Sequence, residues 1–294
     1  QCMFLDPAVL GFSSFYSFRA RYADLVEKRG HGRTFKFVAG YKNLEELNET
    51  LEKFSHRVLK KDCLDLPEKV YMRREIQMTP DQVKAYRELQ RFSVTQLKNT
   101  KTVTINHVIT QIIRLHQISC GFTVTDDGVT TEISSQRLPE LLSIIEETDG
   151  KMIIWANYRY DIQRIEKTLK ELYGNNSVGT YYGGVEQEER ERVIEEFQNP
   201  DSPLRFFVGN TQTGGYGITL TAASTVVYYS NNYDLEKRLQ SEDRAHRIGQ
   251  TNKVTYIDLV AKGTVDEKIV KALRNKLDLA QEVLGDEKWK DWIG

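Results

Sequence analysis

Apolar segments of six to eight residues alternate with amphipathic stretches between residues 136 and 262. Five of these segments predict strands: 151–156, 177–183, 204–209, 225–230 and 253–260. The stretches between them repeat apolar residues at steps of three and four, a period that predicts helices. One such helix face carries Ile162, Ile165, Leu169 and Leu172. Strands of this kind alternating with helices predict an α/β fold, with a parallel sheet covered on both faces and functional loops after the strand ends.

The first 62 residues contain many aromatic side chains and end in a predicted helix. One face of that helix carries Leu44, Leu47, Leu51, Phe54 and Val58. The helix leads into a basic cluster made of Arg57, Lys60 and Lys61. Two interpretations of the cluster stay open: a solvated helix end that the helix dipole favours, or a contact with phosphate groups.

Residues 63–135 are predicted to connect this first part to the sheet. A strand or connector over 64–78 precedes a helix that residues 79–82 open with a capping box. A second helix covers about 104–119, and segment 123–134 suggests a hairpin or loop with an Asp-Gly turn. The inward face of the second helix is predicted to carry Ile105, Val108, Ile109, Ile112, Leu115 and Ile118.

The chain is therefore predicted to divide into four parts. They comprise residues 1–62, 63–135, 136–262 and 263–294, and the third of them contains the sheet. The last part begins with a helix over about 264–284, whose apolar stripe predicts that it packs along its length.

Composition excludes several classes of protein. The 294 residues are 39% hydrophobic and 28% charged, which is ordinary for a globular protein, and the net charge is −1. A balanced charge argues mildly against tight DNA binding by this piece alone, although a local basic groove remains compatible with it. The three cysteines are far apart and include no C-x-x-C pair, so neither a disulfide framework nor a zinc site is expected. A reducing compartment fits this cysteine content best.

A glycine-rich stretch follows the predicted strand 204–209 directly. Residues 210–217 include Gly215 and Gly217, which allow the backbone to approach a phosphate or another domain closely. Successive backbone N–H groups in such a turn can bind an anion. On the residues alone, a plain turn between a strand and a helix is the favoured interpretation.

A polar helix follows the predicted strand 225–230. Gln240, Arg244 and Arg247 are spaced by four and three, so they share one helix face. Two arginines on one face can hold phosphate oxygens bidentately, as neutralising a transferred γ-phosphoryl group requires. A charged surface helix with internal ion pairs explains the spacing equally well. His246 is interpreted as a packed residue more readily than as a catalytic base.

Residues 240–250 carry the most specific resemblance in the chain. They match almost completely the form Q-A-x-D-R-A-H-R-x-G-Q, motif VI of the SWI/SNF (sucrose-nonfermenting) family of superfamily-two helicase-like ATPases. Other stretches resemble further motifs of the family. Residues 211–227 resemble motif V, 151–158 motif IV and 181–198 the segment that follows motif IV. Residues 54–82 resemble the family's connector, and 112–120 resemble a helix that follows the connector. The resemblance covers nearly the whole chain in the family's order. It implies a RecA-like second helicase lobe preceded by a helical N-terminal extension.

The resemblance also implies roles for individual residues. It makes Arg247 an arginine finger that reaches the γ-phosphate of ATP, with Arg244 as its partner and Gln240 as an orienting group. Gly215 and Gly217 are implied to shape the motif V turn as part of the nucleotide site. The residues implied to lie near DNA or the cleft between lobes are Asn157, Tyr158, Thr211, Gln212 and Thr213.

Several positions depart from the usual family pattern. Thr213 stands where Ala is usual, Thr219 where Asn is usual, and Gln212 where a basic residue is frequent. Residues 232–234 replace the family's W-N-P. These departures concern the DNA contacts more than the fold, and the pattern looks most like phage, bacterial or annealing-helicase-type members.

Two signatures of nucleotide binding are absent from the sequence. It contains neither G-x-x-x-x-G-K followed by Ser or Thr, nor a D-E-x-H acidic segment after a buried strand. The resemblance therefore implies that ATP and Mg²⁺ are bound mainly by a first RecA-like lobe elsewhere in a longer parent chain. Residues 1–62 would contain the end of that lobe and a helical protrusion, and 263–294 a brace-like helix. The expected partners are that lobe and double-stranded DNA, without a membrane, in the cytoplasm or, in a eukaryote, the nucleus.

Three functions are compatible with this pattern. The leading hypothesis is half of an ATP-dependent translocase on duplex DNA, which alone does not hydrolyse ATP. The second is a non-catalytic DNA- or protein-binding module that retains the lobe fold, and the intact arginine pair argues against it. The third is a strand-separating or RNA-acting enzyme of the same superfamily.

Overall fold

The computed structural model describes residues 6, 8–30, 33–55, 63–99, 105–125, 127–214 and 217–284. The chain divides into two compact units. One holds the described residues up to Leu64 and those from Asn275 onwards, and the other holds Asp65–Arg274. Within the described residues, no helix is both long and apolar enough to cross a membrane.

The smaller unit contains two helices and an antiparallel hairpin. The helices are α1 (Phe15–Tyr22) and α2 (Leu44–Glu52), and the hairpin consists of β1 (Ala23–Gly30) and β2 (Arg33–Tyr41). The sequence pattern did not predict the hairpin, because charged residues interrupt both strands and hide the apolar alternation. Some of these charges form ion pairs in the folded chain. Glu27 pairs with Lys36 at 3.5 Å, and Asp24 pairs with Lys42 at 3.4 Å.

The helix predicted up to Val58 ends earlier than its pattern suggests. α2 stops at Glu52, and Phe54 lies beyond it with 41% of its surface exposed. Val58 and the basic cluster of Arg57, Lys60 and Lys61 lie outside the described residues.

The larger unit is built on a six-stranded parallel sheet. Its strands are β3 (Lys69–Ile76), β6 (Lys151–Trp155), β7 (Val178–Tyr181), β8 (Phe206–Gly209), β9 (Ala223–Tyr228) and β10 (Val254–Ala261). They lie in the order β3-β10-β9-β6-β8-β7. The five predicted strands are all present, and the stretch 64–78 supplies the sixth, which pairs with β10 from Lys69 to Ile76.

Helices connect the strands and surround the sheet. They are α3 (Pro80–Asn99), α4 (Ile105–Cys120), α5 (Arg137–Glu147), α6 (Arg159–Tyr173), α7 (Gln187–Gln198), α8 (Thr211–Gly214), α9 (Leu235–Ala245) and α10 (Val265–Leu284). A separate small hairpin, β4 (Phe122–Val124) with β5 (Thr130–Glu132), occupies the segment predicted as a hairpin or loop. The predicted capping box opens α3, where the side chains of Thr79 and Gln82 each accept from the other's backbone N–H.

Both faces of the sheet are covered, as the apolar strands predicted. Successive residues of β6 alternate between two cores, with Met152 and Ile154 on one face and Ile153 and Trp155 on the other. α5 and α6 pack on the first face, and α7 and α9 on the second. Each fully buried Ile or Leu contributes about 1.5–3 kcal/mol of hydrophobic stabilisation. The predicted α/β fold is confirmed.

Three details of the helices differ from the prediction. α5 was not predicted, although Leu141, Ile144 and Ile145 are buried on it. Ile109 and Leu172 were predicted to face inward but are 49% and 59% exposed. Leu172 lies near the end of its helix, whereas Ile109 shares an exposed side of α4 with Ile113, one turn further on. The side chains of Ile105 and Val108 lie outside the described set.

Candidate functional site

The helix α9 carries the strongest candidate residues, and its ends are well defined. Asp234 caps its first turn by accepting from the backbone N–H of Lys237 at 3.2 Å. The helix ends at Ala245, and Gly249 then takes a positive φ of 98° that favours glycine. The segment 240–250 is therefore a helix end followed by a tight turn.

One side of α9 is fixed to the sheet by buried charges. The Arg238 guanidinium lies 3.5 Å from the centre of the Tyr228 ring and pairs with Asp258 at 2.6 Å and with Glu242 at 2.9 Å. Glu242 also accepts from Lys69 Nζ at 3.0 Å. Burial alone would raise the pKa of Glu242, but Lys69 and Arg238 outweigh it and lower that pKa. This network orients α9 against β3, β9 and β10.

Two further residues of the same segment lock the turn after α9. The His246 Nε2 lies 2.6 Å from the carbonyl oxygen of Pro67, to which it donates. The Gln250 Nε2 lies within 3.2 Å of three backbone carbonyls, those of Thr221, Ala223 and Ala245. Both side chains are at least nine-tenths buried. The placement of His246 agrees with its interpretation as a packed residue.

The candidate residues lie on the opposite, open side of α9. Arg244 Nε donates to the Gln240 carbonyl at 2.9 Å, and its Nη1 lies 3.3 Å from the carbonyl of Ile218. The Arg247 Nη1 reaches the same carbonyl at 3.5 Å, and Arg247 is exposed. Two guanidinium groups thus converge on one neutral oxygen.

Among the described residues, no carboxylate lies within ion-pair distance of this pair. Across the part of the chain that the structure describes, neither Arg244 nor Arg247 makes an ion pair, whereas the buried Arg137 and Arg238 both do. Burial, and then the positive charge of Arg247, lower the pKa of Arg244. Both groups remain cations at neutral pH. The pair is therefore a concentrated positive charge that an anion would stabilise.

Gln240 adds an amide to this open face. Its Nε2 donates to Glu236 Oε1 at 2.9 Å. Its Oε1 is buried and, among the described residues, has no hydrogen-bond partner. Gln240 and Arg244 lie one turn apart on α9, whereas Arg247 lies two residues beyond the end of the helix and meets Arg244 at the Ile218 carbonyl.

The turn after β8 is a single helical turn, α8. Asn210 organises it, because its side chain accepts from Gln212 N at 2.7 Å and its carbonyl from Gly214 N at 2.9 Å. A Cβ on Gly214 would lie 2.4 Å from the Trp155 ring, so only glycine fits there. Thr211 is buried and Gln212 is exposed.

The rest of that turn is only partly described. Thr213 is half-buried in α8, and Gly217 has a positive φ of 71°. Gly215, assigned to the nucleotide site by resemblance, lies outside the described residues.

Asn157 and Tyr158 follow β6 and are tied to neighbouring strand ends. Asn157 N donates to Ser230 Oγ at 2.8 Å, and Asn210 Nδ2 donates to the Asn157 carbonyl at 2.9 Å. The Tyr158 hydroxyl lies 2.8 Å from His116 Nδ1. Burial raises the pKa of Tyr158, so its hydroxyl stays protonated.

The candidates form two groups rather than one. α9 returns antiparallel to β9, so Arg244 meets residues that precede that strand, as the 2.9 Å bond from Leu220 N to its carbonyl shows. Asn157 and Asn210 instead follow β6 and β8. α8, which carries Thr211, Gln212 and Thr213, nevertheless packs against α9, so the two groups are neighbours in the lobe. The structure thus places Arg244 beside residues that precede β9 rather than at the carboxyl end of a strand.

Comparison with known proteins matches this architecture. Residues 135–249 match the helicase conserved C-terminal domain family. The chain is 27% identical, over 82% of its length, to the transcription regulatory protein SNF2 of Saccharomyces cerevisiae, and 25% identical, over 97%, to the putative ATP-dependent helicase/translocase YwqA of Bacillus subtilis. It spans only 15% and 31% of the length of these relatives.

Solved structures show the same likeness. The Sulfolobus solfataricus SWI2/SNF2 ATPase core in complex with dsDNA is 26% identical, with a TM-score of 0.57, covering 97% of this chain and 59% of that one. The C-terminal part of the Fun30 ATPase domain has a TM-score of 0.59 over 71% of this chain and 90% of that one, and at 17% identity it supports the fold alone. The RecA-like fold of a second helicase lobe is thus confirmed. Residues 135–249 therefore form a helicase conserved C-terminal domain, and the chain as a whole is similar to SWI2/SNF2-type ATPases.

Proposed function

We propose that the chain is the C-terminal half of an ATP-dependent motor that moves along double-stranded DNA. The observation that carries the proposal is the arginine pair. Arg244 and Arg247 converge on the Ile218 carbonyl without a carboxylate partner among the described residues. Two like charges held beside each other repel, and an anion bound between them would relieve that repulsion.

The arginine pair suits the triphosphate of ATP. Arg247, the more exposed of the two, is the finger that reaches the γ-phosphate, and Arg244 supports it. Gln240, with a carbonyl oxygen that lacks a partner in the described structure, orients the attacking water or the finger. Gly217, and Gly215 beside it, would let the backbone approach the nucleotide.

We assign Mg²⁺, and most of the ATP contacts, to a first RecA-like lobe of a longer parent chain. The support is the sequence, which contains neither the G-x-x-x-x-G-K segment nor the D-E-x-H segment of such a site. Closure of the two lobes would bring Arg247 to the phosphate, and this chain alone would not hydrolyse ATP.

DNA is assigned to the other group of residues, at the carboxyl ends of β6 and β8. The Sulfolobus core is described as a complex with dsDNA. By analogy we place Asn157, Tyr158, Thr211, Gln212 and Thr213 at the DNA backbone. Contacts to phosphate make binding depend on salt and little on sequence. Separate nucleotide and DNA groups in one lobe allow phosphate release to be coupled to a step along the backbone.

Hydrolysis by the parent protein tests this proposal. We expect duplex DNA to stimulate ATP hydrolysis more than single-stranded DNA or RNA does, without displacement of an annealed strand. Strand displacement would instead indicate a strand-separating helicase. Stimulation by RNA alone would indicate an RNA-acting enzyme. The absence of ATP hydrolysis under every condition would leave a non-catalytic binding module and refute the motor.

A further inference from the structure

Tyr158 is held by a residue that the proposed function does not use. Its hydroxyl lies 2.8 Å from Nδ1 of His116, which belongs to α4, and the two rings lie 5.3 Å apart. Phe122 packs on the other side, with ring centres 5.4 Å apart. The position of Tyr158 at the end of β6 therefore depends on His116.

The second nitrogen of His116 faces a buried carboxylate. His116 Nε2 lies 3.2 Å from Asp266 Oδ1, in the first turn of α10. Asp266 also pairs with Arg137 and accepts from Ser119 Oγ at 2.9 Å and from Ala261 N at 2.9 Å. Burial alone would raise the pKa of Asp266, but Arg137 outweighs it and lowers that pKa. Asp266 is therefore an anion that can only accept hydrogen bonds.

Each ring nitrogen of His116 faces a different residue. Nε2 lies against the Asp266 carboxylate, and Nδ1 shares a hydrogen bond with the Tyr158 hydroxyl. The fully buried Arg137, which pairs with Asp266, also donates to the Leu259 carbonyl of β10 at 3.2 Å. Asp266 is therefore linked to the sheet through Arg137. The contacts run without a break from α10 through α4 to the end of β6.

We propose that His116 is a positioning residue for DNA binding, which holds Tyr158, and with it Asn157, where the end of β6 meets the DNA backbone. The inference rests on the proposed function in placing DNA at Asn157 and Tyr158. His116 does not touch DNA itself. It acts through the hydrogen bond between its Nδ1 and the Tyr158 hydroxyl.

Two amide substitutions separate the two ring nitrogens. An Asn side chain places its amide near the position of Nδ1, and a Gln side chain places it near Nε2. In the full chain, His116→Asn should therefore keep a hydrogen-bond partner for Tyr158 and lose the contact with Asp266. His116→Gln should do the opposite. Both remove the ring and its packing, so each is a matched control for the other.

The first measurement is the dissociation constant for a duplex oligonucleotide, followed by fluorescence anisotropy. We expect His116→Gln to weaken binding about fivefold, as the loss of one hydrogen bond would, and His116→Asn to stay within about twofold. Tyr158→Phe should weaken binding as His116→Gln does, and combining the two should add little. Equal effects of the Asn and Gln variants, or additive effects in the double variant, would overturn the positioning role.

Amide hydrogen exchange over residues 156–160 provides a readout that does not require DNA. We expect faster exchange in His116→Gln than in His116→Asn, at matched thermal stability. If the unsubstituted chain does not bind the duplex, the DNA assignment of the proposed function fails. The exchange difference then still decides whether His116 holds Tyr158, and its absence refutes that link.

Discussion

The buried carboxylate of Glu242 should be a main support of α9, and Glu242→Gln tests this. The carboxylate is fully buried and accepts from Arg238 Nε at 2.9 Å, Lys69 Nζ at 3.0 Å and Tyr71 Oη at 2.8 Å. An amide of the same shape has one oxygen, so at least one of these donors must face the new NH₂ group. The two cations also lose a neutralising charge, although Arg238 keeps Asp258.

The expected magnitude follows from these contacts. Removing one partner of a buried pair costs about 3–5 kcal/mol, and the remaining Asp258 contact places this case at the lower end, about 3 kcal/mol. For a domain of this size, that loss lowers the melting temperature by roughly 6–12 °C. The lowered pKa of Glu242 means that its contribution is present above the ordinary Glu pKa of about 4.3 and is lost as the pH falls below it.

Urea denaturation at neutral pH and at pH 4 is the assay. Glu191→Gln is the matched control, because Glu191 is exposed on α7 and contacts only Gln187 in the described structure, at 2.9 Å. The control should change the free energy of unfolding by less than about 0.5 kcal/mol. A loss in Glu242→Gln no larger than in the control, or one that grows as the pH falls, would refute the role given to this network.

Three further outcomes are expected. Gly214→Ala places a methyl group 2.4 Å from the Trp155 ring. The clash should destabilise the larger unit by about 1–3 kcal/mol and change the near-UV circular dichroism of Trp155. An unchanged spectrum would contradict the close packing of Gly214 on Trp155. Burial raises the pKa of Asp161 to about 7, so its ionisation opposes folding increasingly as the pH rises from about 4 to 7. Asp161→Asn should therefore stabilise the protein at pH 8 and make its stability depend less on pH. A variant that is destabilised at pH 8 would refute this role of Asp161. Gln212→Glu adds a negative charge at the exposed end of the turn after β8. It should weaken duplex binding about threefold or more in low salt, and added salt should reduce this effect. Unchanged binding would show that Gln212 does not lie at the DNA.

The sheet could be predicted because each of its strands has a recognisable local sequence pattern. Met152–Trp155 and Phe206–Val208 are continuous apolar runs, and the helices between them repeat at steps of three and four. The hairpin of β1 and β2 could not, because Asp24, Glu27 and Lys36 interrupt its alternation. Its register depends on pairing between the strands rather than on either strand alone.

The site could be predicted only in part, for a similar reason. Helical spacing places Gln240 and Arg244 one turn apart on α9, but the helix ends at Ala245, so Arg247 reaches Arg244 from the turn that follows. The partners on the other side of the helix are distant in sequence, as Glu242 and Lys69 are, and no local pattern reveals them. The proposed role of His116 likewise depends on Tyr158 and Asp266, which are distant in sequence and contact it only in the folded chain. The roles assigned to the site residues stay predictions, as does the phage or bacterial subtype.

ATP hydrolysis by the parent protein, with duplex DNA and with Arg247→Ala, tests the central claim most directly. Arg192→Ala is the matched control, since Arg192 is an exposed arginine paired with Glu189 at 2.7 Å. We expect duplex DNA to stimulate hydrolysis, and Arg247→Ala to reduce the stimulated rate by about a thousandfold or more while nucleotide binding and the control stay unchanged. A stimulated rate that survives in Arg247→Ala would contradict the account, because the arginine pair would then not be the group that completes the site.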